Sequence, residues 1–144
     1  MGAIYHVFQY HFQNIIITLV HTHNMMNEII YPTVDKIIEF NSLVITLIKV
    51  RKADKAEVIN KQAIVNALGS CKDLDGDLYD KAVILLKALV QEHPFVSGNR
   101  RTAFVVVKNF LVKNGLKLGI KNDPKDARVM QGVRENYYSD SEIK

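Results

Sequence analysis

Residues suited to phosphate chemistry are concentrated in one short stretch, HPFVSGNRRTAF, at residues 93–104. The imidazole of His93, when neutral, can take a proton from a hydroxyl nucleophile. A flexible Ser-Gly-Asn elbow at 97–99 follows it, and Arg100 and Arg101 then add two cations with forked donors. Apolar helical runs flank the stretch on both sides. This combination indicates a place where an anionic substrate is bound and attacked.

The elbow also begins a helix, whose unpaired backbone N–H groups and dipole attract anions. Gly98 removes side-chain bulk where a phosphate would approach, and Asn99 adds an amide. We therefore expect His93 to be the catalytic base and the phosphate to be bound by Ser97, Gly98, Asn99, Arg100 and Arg101. The alternative is purely structural: Ser97 caps the helix, Gly98 makes the turn, the arginines face water and the His-Pro pair ends a helix.

The stretch resembles the signature of the Fic/Doc family, which is written His-x-Phe-x-(Asp/Glu)-Gly-Asn-x-Arg. The apolar helix before it and the run RTAFVVVKNFLVKNGL after it are also similar to those of the family. The resemblance covers residues 29–136, and it implies an all-α fold: a compact helical bundle with the motif loop between two central helices. The matching positions are His93, Phe95, Gly98, Asn99 and Arg101.

The resemblance further implies a nucleotide-dependent transferase. In the family, the loop grips nucleotide phosphates and the histidine deprotonates a Ser, Thr or Tyr hydroxyl of a target protein. Most Fic members transfer the adenylyl group of ATP, whereas Doc, the toxin of a toxin–antitoxin pair, transfers the terminal phosphate to a translation factor. Doc-like members usually carry Lys between the Asn and the Arg, and the cation Arg100 stands there. We therefore predict Doc-like phosphotransfer from ATP and a toxin-like role.

Ser97 departs from the family pattern, because an acid at this position holds the magnesium that bridges the phosphates. Magnesium in proteins binds through carboxylates together with substrate phosphates, and a hydroxyl is a weak substitute. We therefore assign no metal ligand and do not expect a conventional Mg²⁺ site. The alternative function is a catalytically impaired Fic-fold protein that binds nucleotide or regulates a partner.

Apolar residues at helical spacing predict the elements before the motif. Thr33 caps a helix that runs to about residue 49. A charged loop, KVRKADKAEVIN at 49–60, follows, with a brief extended piece. The next helix begins near Lys61, and Gly69 is expected to stop it.

The elements around and after the motif are predicted in the same way. Asp77 or Asp80 opens a helix that ends at His93-Pro94, since a proline disfavours helical geometry in the residue before it. The second motif helix runs from about Gly98 to Gly115. A last helix over 124–136 precedes a tail that we expect to fray.

Composition is that of one ordinary globular domain of 144 residues, with a formal net charge of +4. Residues 31–144 hold all 19 basic residues and 14 of the 15 acids. A mildly basic surface suits phosphorylated small molecules as well as nucleic acid. Because no nucleic-acid-binding motif accompanies the charge, we expect a nucleotide rather than nucleic acid as partner. Cys71 is the sole cysteine, which excludes an intramolecular disulfide and fits a reducing compartment.

Residues 1–26 are interpreted as an N-terminal extension to a Fic/Doc-like domain at 27–144. An amphipathic stripe predicts a helix over 4–22, which packs on the domain or makes a homodimer contact; alternatively, synthesis begins at Met25 or Met26. The run IIITLV is too short to span a bilayer. We expect no membrane partner and a cytoplasmic location. The stripe consists of Phe8, Phe12, Ile15, Ile16 and Leu19.

A built-in inhibitory helix, with the pattern (Ser/Thr)-x-x-x-Glu-(Gly/Asn), occurs in many family members. The sequence does not contain it: Ser139 is followed four residues later by Ile143, and Thr22 by Met26. The resemblance therefore predicts that inhibition comes from a separate, antitoxin-like chain.

Overall fold

Helices make up nearly all of the regular structure. A computed structural model describes residues 28–48, 50–119 and 124–144. Within these ranges the extended pairing amounts to one antiparallel bridge between Val58 and Phe95, so the expected all-α fold is confirmed. The six helices described are α1 (Val34–Leu47), α2 (Lys61–Asp73), α3 (Leu78–Gln91), α4 (Asn99–Lys113), α5 (Pro124–Arg134) and α6 (Asp140–Ile143).

Local capping chemistry sets two of the helix starts, as expected. The Thr33 hydroxyl accepts a hydrogen bond from the Lys36 N–H at 3.1 Å and opens α1. Asp77 opens α3 through a capping box, in which its carboxylate and that of Asp80 each accept from the other residue's backbone N–H. α3 then ends at Gln91, just before the motif.

The hydrophobic core is built around α3 and α4, the two helices that the motif joins. α3 packs against α2, α4 and α5, while α1 packs on α4. The Tyr31 ring stacks on Phe110 with centroids 5.7 Å apart. The motif loop thus connects the two central helices, as the resemblance implied. The core includes Ile37, Ile64, Leu85, Leu89, Val106 and Phe110, all essentially buried.

The prediction that Gly69 ends the second helix is wrong, because α2 continues to Asp73. A contact from the next helix stabilises the extra turn. The Lys81 ammonium of α3 is buried, and it donates to the last carbonyls of α2 and its cap, which a helix otherwise leaves unpaired. Those carbonyls belong to Cys71, Lys72 and Leu74.

The tail is also more ordered than expected. Ser139 and Glu142 form a capping box at the start of the short helix α6. The carboxylate of Asp140 lies 2.6 Å from the Lys87 ammonium, which ties α6 to α3. The Lys87–Asp140 contact joins residues 53 positions apart, so the local sequence did not indicate it. The capping box is local, and its Ser-x-x-Glu pattern was an available signal that the prediction of a frayed tail overlooked.

The predicted helix over 4–22 lies outside the described residues, and the division at residue 26 stays a prediction. Within the described parts of the chain, no helix has the length and hydrophobicity needed to cross a membrane.

Candidate active site

His93 lies in the turn directly after α3, with its side chain exposed. Its φ is +47°, in the left-handed region that non-glycine residues seldom adopt. The two residues that follow hold it there, because Pro94 is buried and the Phe95 side chain is only 1% exposed. Phe95 is thus the core anchor of the loop. The expected base therefore faces solvent on a firmly held backbone, where an incoming hydroxyl can reach it.

A neighbouring segment, residues 57–60, pairs with the backbone of the motif and forms one wall of the site. The N–H groups of Ile59 and Asn60 donate to the Pro94 carbonyl at 2.8 and 3.1 Å. The Val96 N–H donates to the Glu57 carbonyl at 2.9 Å. This is the brief extended piece expected in the charged loop.

Asn99 shapes the loop from within. Its side-chain oxygen accepts from the Phe95 N–H at 3.0 Å, and its amide nitrogen donates to the Phe95 carbonyl at 2.8 Å. Both ends of the amide are therefore occupied by the protein. This arrangement does not support the expectation that the Asn99 amide contacts a phosphate, although its backbone N–H remains at the start of α4.

Gly98 is the N-cap of α4, in the left-handed region with a φ of +79°. A Cβ on this residue would lie 2.9 Å from Ile45 Cδ1 and 3.4 Å from Asn41 Nδ2. The left-handed backbone therefore favours glycine here, and the close approach of side chains from α1 adds to that preference. That reason differs from the expected one, which was room for a phosphate.

Ser97 is not the helix cap, so that part of the structural alternative is wrong. Gly98 occupies the N-cap position, and Ser97 lies one residue before it. The Ser97 hydroxyl instead accepts a hydrogen bond from the Lys55 N–H at 3.2 Å. The side chain where the family has its acid therefore faces the charged loop.

The two arginines have different surroundings. Arg100 is exposed, and no partner for its side chain occurs among the described residues. Arg101 donates through Nη1 to the Ile48 carbonyl and through Nη2 to Asp54 Oδ2 at 2.9 Å. The hydrogen bond from Arg101, reinforced by the N–H groups of Val50 and Arg51, holds the pKa of the Asp54 carboxyl below its usual value.

Sequence reasoning missed two residues of the site, Asn41 and Asp54. Asn41 is 2% exposed, and its amide nitrogen donates to the Ser97 carbonyl at 2.9 Å and to the Thr102 hydroxyl at 3.0 Å. A polar residue four positions after Ile37, on the apolar stripe of α1, was the available signal. For Asp54 the signal was a lone acid within the basic run KVRKADK.

The residues present do not fit the carboxylate-held Mg²⁺ that the resemblance implies. Ser97 offers a hydroxyl that already accepts from Lys55, and the carboxylate of Asp54 is paired with Arg101. Across the described residues, no three His, Cys, Asp or Glu side chains are grouped to hold a metal ion.

Comparison with known proteins agrees with the motif. The model of the Fic/DOC family matches residues 18–111. The protein "Toxin Doc" of Mycolicibacterium smegmatis is 44% identical over 46 residues, which are 32% of this chain and 35% of that toxin. The chain thus spans about a third of that relative's length (35%). No solved structure matches the chain. Since the family model covers well over half of its residues, and the all-α fold is consistent with it, the chain belongs to the Fic/Doc family.

Proposed function

We propose that this chain is a toxin-like transferase that uses ATP to modify a Ser, Thr or Tyr hydroxyl of a target protein, by Doc-like transfer of the terminal phosphate. The observation that carries the proposal is the solvent-facing His93 six residues before the helix start at Asn99, which attracts anions. The name of the bacterial relative, Toxin Doc, and the cation Arg100 at the position usually taken by Lys in Doc-like members support the choice of phosphotransfer.

The first turn of α4 provides the phosphate site of this proposal. Gly98 supplies no capping side chain, and among the described residues no backbone acceptor meets the N–H groups of Asn99, Arg100 and Arg101. Such N–H groups, together with the helix dipole, favour phosphate oxygens. The exposed Arg100 adds a forked cation beside them.

The proposed reaction begins when a target hydroxyl lies beside His93. The His93 imidazole accepts the hydroxyl proton while the oxygen attacks the γ-phosphorus of ATP. A new oxygen–phosphorus bond forms as the bond from that phosphorus to the β,γ-bridging oxygen breaks, and ADP leaves. Adenylyl transfer would follow the same course at the α-phosphorus and release pyrophosphate. The target, on this proposal a translation factor, and an antitoxin-like inhibitor would approach the same exposed face.

Ser97 favours a second candidate function, a catalytically impaired nucleotide-binding or regulatory protein. Its hydroxyl carries no charge and already accepts from the Lys55 N–H. Loss of a phosphate-stabilising charge costs phosphotransferases roughly a thousandfold or more in rate. Such a protein would bind ATP and turn it over very slowly.

A labelling experiment separates these functions. The parent, His93→Ala, Ser97→Asp and the exposed-neighbour control Glu92→Gln are incubated with candidate targets and ATP labelled at the α or γ position, with Mg²⁺ or with EDTA. We expect γ label alone on the target, lost in His93→Ala and retained in Glu92→Gln. Ser97→Asp should transfer more in Mg²⁺, because its carboxylate can accept from Lys55 and also bind the metal.

Three outcomes contradict parts of the proposal. Parental turnover by a folded His93→Ala protein excludes His93 as the base. Label from the α position means adenylylation. If neither the parent nor Ser97→Asp transfers label, but ATP binding is intact in calorimetry, the second candidate function, a nucleotide-binding or regulatory protein, is supported.

A further inference from the structure

Arg101 and Asp54 form an ion pair that the proposed reaction does not use. The side chain of Asp54 is 8% exposed and that of Arg101 is 24% exposed. Both terminal nitrogens of the guanidinium have protein acceptors, one at Asp54 and one at the Ile48 carbonyl. The pair joins the first turn of α4 to the segment that follows α1.

If a phosphate displaced Asp54 from Arg101, the Asp54 carboxylate, which is almost buried, would lose its cation. Breaking such a pair from one side is strongly unfavourable, because it leaves an uncompensated charge. Arg100, one residue earlier, is exposed and can reach a phosphate without this penalty. We propose that Asp54 is a positioning residue that holds Arg101 as a tether between α4 and residues 50–60, and that Arg100, rather than Arg101, supplies the cation for the nucleotide phosphates. The second part rests on the proposed function.

The tether fixes the wall of the site beside His93. Directly after Asp54, the Lys55 N–H donates to the Ser97 hydroxyl. The Glu57 carbonyl and the Ile59 N–H then pair with the backbone around Phe95. Anchoring Asp54 therefore sets how residues 55–60 lie along the motif. Small misplacements of reacting groups are costly in rate, so this alignment matters for catalysis.

Calorimetric titration with ATP tests whether Arg100 or Arg101 binds the phosphates. The test compares the direction in which the Asp54 and Arg101 variants change the affinity for ATP. We expect Arg100→Gln to weaken binding about tenfold or more, the loss of a charge-assisted hydrogen bond. Asp54→Asn and Arg101→Gln should both weaken it, by smaller and similar factors. Their double variant should be no weaker than either, because both changes break one contact. If instead Asp54→Asn tightens ATP binding while Arg101→Gln weakens it as much as Arg100→Gln does, Arg101 is a phosphate ligand and the proposal is overturned.

Limited trypsin digestion gives a readout that does not depend on ATP. The tethered segment carries exposed sites at Arg51, Lys52 and Lys55. Asp54→Asn and Arg101→Gln should be cut there faster than the parent, as mapped by mass spectrometry, while Arg100→Gln is cut at the parental rate. Arg101→Lys, which keeps a cation, should recover part of the protection.

The two readouts distinguish failure of this proposal from failure of the proposed function. Parental cutting in a folded Asp54→Asn protein overturns the tether. Faster cutting in that variant, with no ATP binding by the parent, upholds the tether and overturns both the nucleotide site and the part assigned to Arg100.

Discussion

Gly98→Ala should destabilise the folded protein even when no ligand is present. Gly98 has a φ of +79°, where an alanine is strained. The added methyl would lie 2.9 Å from Ile45 Cδ1, a buried side chain of α1, and 3.4 Å from Asn41 Nδ2. The substitution thus strains the backbone of the elbow and pushes the end of the Ile45 side chain aside.

The size of the effect follows from these two contributions. The left-handed conformation costs an alanine roughly 1–2 kcal/mol, and moving the Ile45 side chain off its preferred rotamer costs roughly 0.5–1.5 kcal/mol. We expect the free energy of unfolding to fall by about 1.5–3.5 kcal/mol, which for a chain of this size lowers the Tm by roughly 5–10 °C.

Gly69→Ala is the matched control for Gly98→Ala. Gly69 lies inside α2, and no atom would lie within 4 Å of a Cβ added to this residue. Alanine should therefore stabilise that helix by roughly 0.5–1 kcal/mol. Urea unfolding followed by circular dichroism measures both variants, with and without ATP. Parental stability of Gly98→Ala, combined with loss of ATP binding alone, would refute the packing argument and favour a glycine kept for phosphate approach.

Two further predictions concern the frame of the site. Lys81→Met should lower the free energy of unfolding by roughly 1.5–3 kcal/mol in urea titration, because it removes a charged donor from the end of α2; parental stability would contradict that role. The Lys144 ammonium, hydrogen-bonded to Asp77, lowers the pKa of that carboxyl from 3.8 to about 2. Its contribution is complete above about pH 3.8 and is lost as the pH falls toward 2, so Lys144→Gln should weaken the pH dependence of the Tm in that window. An unchanged dependence of the Tm on pH between 2 and 3.8 would show that the Lys144–Asp77 pair does not contribute to stability.

The helix starts could be predicted from the sequence because caps act within one turn. Thr33 and Asp77 each bond an N–H three residues ahead, and such a signal is complete in a short stretch of chain. Gly69 misled the prediction for the opposite reason. The end of α2 is stabilised by Lys81, which belongs to another helix. No local pattern contains that contact.

In the candidate site, too, local features could be predicted from the sequence and contacts between distant residues could not. The order of its residues could be read from the sequence, and so could the end of the helix near His93-Pro94. The partners of the loop were not, because Asn41 lies 56 residues before the carbonyl it binds, at Ser97, and Asp54 lies 47 residues before Arg101. Periodicity reports which face of a helix is buried, but not which loop a buried amide or carboxylate will meet.

These contacts indicate that several matched residues of the motif have a structural role. Three of its matched residues, Phe95, Asn99 and Arg101, have partners inside the protein, and they build the shape of the loop. Arg100 occupies the unspecified position of the pattern and faces solvent. The side chain of Arg100, which the pattern does not specify, is therefore free to contact a nucleotide. Phe95, Asn99 and Arg101 hold the helix start and the turn that carries His93, the proposed base. It follows that the choice between γ- and α-phosphate should respond to substitution at Arg100 more than at Arg101.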